Sequence, residues 1–98
     1  MPSGPTWLHP AAIAEARAAR QWYDARNAEA AEAFVAELDL ALEKIEETPQ
    51  SWPPYLADTR RYLLRRFPFF VVFRQVDDGV QILAVVHARR RPGYWLGR

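Results

Sequence analysis

The chain divides according to the period of its apolar positions. From Ala11 to Arg26 the run "AAIAEARAARQWYDAR" contains neither Gly nor Pro, and Ala12, Ala16, Ala19 and Tyr23 recur along one helical face. Pro10, just ahead of it, suits the first turn of a helix. Asn27 reads as a break and N-cap, after which Phe34, Leu38, Ala41, Leu42 and Ile45 fall at i, i+4, i+7, i+8 and i+11. Glu29, Glu32, Glu37, Asp39, Glu43, Glu46 and Glu47 fill the other faces of this second helix, and the "TPQ" at 48–50 stops it. Together these runs predict an antiparallel helical hairpin. After the loop "PQSWPPY" the pattern becomes that of strands: Arg60 to Arg65 alternates, and Phe69 to Val76 and Val80 to His87 are β-branched and aromatic, with "DDG" at 77–79 as the turn between them. Thr6 to His9, preceded by Pro and Gly, reads as a short edge strand.

The predicted order is β-α-α-β-β-β, an α+β fold with the helical hairpin packed on a small, mainly antiparallel sheet. The runs "FFVVF" and "VQILAVVH" are apolar on both sides. One sheet face therefore covers the helices, while the other presents Phe70, Val72, Leu83 and Val85. That second face needs a cover, supplied by the C-terminal tail, a second copy or a partner chain.

Composition narrows the picture. Ninety-eight residues, half of them apolar, suffice for one core, so residues 1–98 form a single domain. The absence of cysteine excludes disulfides and thiolate metal sites. There is no GxxxxGK, no CxxC, and no partner four residues from His9, so no metal and no cofactor is expected. The opening "MPSGPTWLHP" lacks a basic start and an apolar run of signal-peptide length, and no stretch nears the ~18 apolar residues of a membrane span. A cytoplasmic protein without membrane association is the expectation.

The net charge of +1 conceals a division. Residues 1–58 hold four Lys/Arg against ten Asp/Glu, and residues 59–98 hold nine Arg against Asp77 and Asp78, giving −6 and +7. Arginine is the cation whose planar fork suits phosphate and carboxylate. The basic part ends in "HARRRPGYW", where a Pro-Gly break follows Arg89, Arg90 and Arg91. Those three charges resist burial and remain available to a ligand, while Tyr94 and Trp95 either seal the open sheet face or contact a partner. Pro92 and Gly93 should turn the chain so that these two rings fold back on apolar surface. Trp22, Tyr23 and Trp52 are expected to pack into the core, and His9 to serve local structure.

The segments "LHPAAIAEARAARQWY", "AFVAELDLALEKIEETPQSWP", "RRYLLRRFPFFVVFR" and "ILAVVHARRRPGYWLGR" resemble the RelE/ParE superfamily of toxins from bacterial type II toxin-antitoxin pairs. The resemblance runs from about Leu8 to Arg98 and is most specific at Arg66 to Phe69 and at His87 to Trp95. It implies a toxin held in a hetero-oligomer with a cognate antitoxin, whose acidic, amphipathic segment would meet Arg65, Phe70, Val72, Arg74, Arg89, Arg90, Arg91, Tyr94 and Trp95. Two targets are open: DNA gyrase for ParE-like members, or ribosome-bound messenger RNA for RelE-like ribonucleases. A metal-free ribonuclease needs a base, an acid and cations around the phosphoryl group; His87 has the intrinsic pKa for such work, and the resemblance matches Arg89, Tyr94 and Arg61 to positions that RelE-like enzymes keep. A strand-end histidine is also commonly a hydrogen-bonded structural residue. Leu63 and Phe70 stand where RelE-like enzymes carry basic residues, which favours the ParE-like reading. A third reading is a non-toxic interaction module of the same fold.

Overall fold

A computed structural model describes residues 4–98; Met1–Ser3, part of the segment read above as lacking a leader, lie outside the described residues. Its elements are β1 (Thr6–Leu8), α1 (Pro10–Asp24), α2 (Ala28–Glu47), a 3-10 turn at Pro49–Ser51, β2 (Arg60–Leu63), β3 (Phe69–Val76) and β4 (Gly79–His87). The order matches the predicted β-α-α-β-β-β. Pro10 opens α1 while the His9 imidazole accepts from the Ala11 N–H at 3.0 Å, and the Asn27 side chain caps α2 by accepting from Glu29 and Ala30 N–H. The sheet order is β1-β4-β3-β2, with β1 parallel to β4 and the other pairs antiparallel.

The two-residue turn Asp77-Asp78 joins β3 to β4, with Asp77 in the left-handed region at φ 55°. Gly79 follows because the chain ahead of β1 crosses directly over it: a Cβ there would overlap the Pro5 carbonyl oxygen, the acceptor for Val80 N–H at 3.0 Å. The close approach holds β1 on the sheet edge.

Packing follows the helical faces read from the sequence. Ala12 and Ala19 of α1, Phe34, Ala41 and Ile45 of α2, and Tyr62, Leu64, Val71, Phe73, Val80, Ile82 and Val85 of the sheet form one buried cluster. On the far face Phe70, Val72, Leu83, Ala84, Val86 and Trp95 form a second. One expectation is corrected here: Val85 belongs to the helix side. Val72 pairs with Ala84 and Phe73 with Ile82, so Leu83 is an extra residue in β4, and the alternation of faces shifts beyond it.

Candidate functional site

The end of β4 shapes the basic segment. His87 pairs with Phe69 across the ladder, its ring edge-on to Phe69 at 5.0 Å, and its Nδ1 accepts from Arg89 N–H at 3.1 Å. Ala88 N–H donates to Pro68 O at 2.8 Å and Arg90 N–H to His87 O at 2.9 Å, so the chain turns tightly and Arg89, Arg90 and Arg91 stand exposed. Arg90 lies 3.9 Å over the Tyr94 ring and 3.9 Å from the Glu15 carboxylate.

Beside this turn, between α1 and the ends of β3 and β4, runs a groove of about 500 Å³. Its walls are Ala18, Ala19, Trp22, Tyr23, Pro68, Phe69 and Val85, and its polar members are Glu15, His87 and Arg90. Trp22 departs from the expected core position. It is 54% exposed, with the Arg26 guanidinium 3.7 Å above its ring, and it walls the groove instead of filling the interior. Tyr23, next to it, packs on Phe34 and Phe67, and burial pushes its phenol above the usual range. Trp52 lies against Tyr62 at 4.7 Å, as the core reading required.

The far face is covered by the chain itself. Beyond Pro92, Gly93 takes φ 92° and the tail folds back, placing Trp95, with no exposed surface, against Tyr55 at 5.6 Å and Phe70 at 6.4 Å. Phe70, Val72 and Trp95 were expected to meet a partner; here they are the covered interior, because the tail has taken the surface they offered. Arg74 reaches Asp58 at 3.4 Å and the Arg98 backbone oxygen at 3.3 Å, whereas Arg65 is exposed.

Of the four residues considered for ribonuclease chemistry, Arg61 and His87 lie on opposite sides of the sheet. Arg61 stacks on Tyr55 and Phe70 on the far face, at 4.3 and 5.1 Å, while His87 lies on the helix side against Phe69. The Tyr94 hydroxyl is buried beside the Glu15 carboxylate. Burial first, then the Glu15 carboxylate, push its phenol up to about 12 against the opposing pull of Arg90 and Arg98. The Arg89 side chain is exposed, and its backbone N–H meets the His87 ring.

Two acids missed in the sequence organise the site. Glu15 accepts from Val85 N–H at 2.9 Å and takes both Arg98 nitrogens at 3.0 Å, while Arg98 also donates to Leu83 O at 3.0 Å. Both backbone groups lie on β4 beyond Ile82, the last residue paired with β1, where the sheet margin is open. Glu37, placed above among the solvated faces, is instead buried. It accepts from the backbone N–H of Arg65 and of Arg66, and from Arg66 Nε at 3.2 Å. Burial pushes its carboxyl up, but the hydrogen bonds from Arg66 and Arg65 and the Arg66 charge outweigh that and leave it below the usual range. The signal was available: Glu15 lies between Ala12 and Ala19, and Glu37 between Phe34 and Ala41, each an acid inside an apolar stripe.

The fold and the basic turn define a class, a small α+β domain with a helical hairpin on a four-stranded sheet and an exposed arginine cluster at its end. A solved structure described as the chromosomal ParDE TA system from P. aeruginosa superposes with a TM-score of 0.76 at 20% identity, covering 86% of this chain and 95% of that one. Toxin ParE2 of Mycobacterium tuberculosis, from strains CDC 1551 / Oshkosh and ATCC 25618 / H37Rv, is 31% identical over 55 residues, 56% of this chain and 52% of each relative. The chain spans about half the length of the curated relatives it matches. The family described as ParE toxin of type II toxin-antitoxin system, parDE, matches residues 8–92, and the chain belongs to that family.

Proposed function

We propose that the protein is the growth-inhibiting toxin of a type II pair, acting in the cytoplasm on DNA gyrase and neutralised by a cognate antitoxin. The family match over residues 8–92 carries this reading. The exposed Arg89–Arg91 cluster beside an apolar groove supports it, since an acidic, amphipathic antitoxin segment has both cations and an apolar surface to engage. No helix among the described residues is long and apolar enough to cross a membrane.

The choice of gyrase over messenger RNA draws support from the dispersal of His87, Arg61 and Tyr94. Acid-base cleavage of RNA requires base, acid and cation within reach of one phosphate. Here His87 and Arg61 flank opposite sheet faces, and the Tyr94 hydroxyl is buried inside the fold. The test is induction of the chain alone, with supercoiling, the DNA-damage response and transcript integrity read in parallel, followed by co-expression with the neighbouring reading frame. Growth arrest with failed supercoiling and intact transcripts is expected, with rescue and copurification on co-expression. Cleaved transcripts with normal supercoiling would replace gyrase by ribosome-bound messenger RNA, and unaffected growth with retained antitoxin binding would make the chain a non-toxic interaction module.

A further inference from the structure

The tail that covers the far sheet face is attached in an unusual way. The backbone–backbone hydrogen bonds that residues 92–98 make in the described structure are local: Leu96 N–H donates to Gly93 O and Arg98 N–H to Trp95 O, each at 3.0 Å. Side chains alone tie the segment to the body: Trp95 in its slot, Arg98 on Glu15 and Leu83 O, and Arg74 on the Arg98 backbone oxygen. The anchoring contact is a bidentate arginine–carboxylate pair on a largely buried acid.

We propose that residues 92–98 form a strap, latched by Glu15 and Arg98, that opens as a unit while the rest of the fold stays intact and uncovers the apolar far face around Phe70, Val72 and Val86. The core on the helix side does not depend on it: Val71 and Phe73 cluster with residues of α1 and α2, whereas Val72, between them, belongs to the far cluster with Trp95. Local opening of weakly tied segments without global unfolding is an ordinary property of folded chains. In this one the latch sits on β4, where Val85 N–H donates to Glu15 and Leu83 O accepts from Arg98.

The chain has no cysteine, so one introduced thiol reports one position. The experiment uses two full-length variants, Val72→Cys and Val71→Cys, adjacent in sequence, both at 0% exposure, and on opposite sheet faces. Reaction with a thiol reagent under native conditions should be at least about tenfold faster for Val72→Cys than for Val71→Cys, since the first needs only strap opening and the second needs global unfolding. Adding Arg98→Ala should speed the Val72→Cys reaction by about tenfold or more and leave that of Val71→Cys unchanged. Equal rates in the two parent variants would overturn the proposal, because the tail would then leave only with the whole fold. So would equal acceleration of both thiols by Arg98→Ala, which would make the Glu15–Arg98 pair a global stabiliser and not a latch.

Discussion

Replacing Glu37 tests whether a buried acid on α2 holds the bend between β2 and β3. Its carboxylate receives two backbone N–H groups, from Arg65 and Arg66, together with Arg66 Nε. Truncation in Glu37→Ala leaves both backbone donors without their acceptor, at about 1–3 kcal/mol each when fully buried. Arg65 and Arg66 are exposed residues, so water reaches part of that bend and the lower end applies. The Arg66 ion pair adds little, because its side chain is 67% exposed. The expected loss is about 2–3 kcal/mol, or roughly 10–20 °C in melting temperature for a domain of this size. Glu37→Gln keeps an oxygen where both N–H groups converge and loses only the charge, so about 1 kcal/mol is expected. The pH dependence supplies a second check. The folded carboxyl titrates below its unfolded value, so its contribution is complete above the ordinary glutamate range and disappears as pH falls through the folded pKa. Urea midpoints for wild type and Glu37→Gln should therefore differ at neutral pH and converge in acid. A gap that persists unchanged into acid, or a Glu37→Ala protein as stable as wild type, would refute the reasoning and show that desolvation of the carboxylate cancels its hydrogen bonds.

Three further predictions follow from the site. Ultraviolet titration of the four tyrosines should include a step near pH 12 that Tyr94→Phe removes; because the folded phenol titrates above its unfolded value, stability at that site should fall between about pH 10 and pH 12. Gly79→Ala should detach β1 from β4 at a cost of about 1–3 kcal/mol, seen as loss of amide-exchange protection at Val80 N–H, which Pro5 O now accepts. Arg89→Glu with Arg91→Glu should leave the melting temperature within about 3 °C, since neither side chain forms an ion pair among the described residues, yet weaken growth inhibition or antitoxin binding. A large drop in melting temperature in that double variant would assign those arginines to the fold.

Much of the fold was legible because each element carries its own period. Ala12, Ala16, Ala19 and Tyr23, and then Phe34, Leu38, Ala41 and Ile45, mark helical faces through covalent spacing alone, and these faces form the core. Asn27, Pro10 and the turn at Asp77–Gly79 act within a few residues of themselves, so local chemistry settles them. The order of elements, the edge position of β1 and the fold-back at Pro92–Gly93 follow from such signals. What sequence spacing does not contain is a β-bulge. Leu83 becomes the extra residue through the pairing of β3 with β4, a tertiary relation, and its insertion sends Val85 to the helix side; Glu15 and Arg98 likewise meet only through the fold, from positions 83 residues apart. Trp22 likewise reads as core on propensity and stands in the open beside Arg26, because Tyr23 takes the place in the aromatic cluster with Phe34 and Phe67. Glu15 and Glu37 lie visibly on apolar faces, but that each is tolerated there depends on donors 70 and about 28 residues away, which only the folded chain delivers. Local spacing therefore determines the elements and their inward faces, while the partners of buried charges and the cover of the far face are decided by contacts between distant segments.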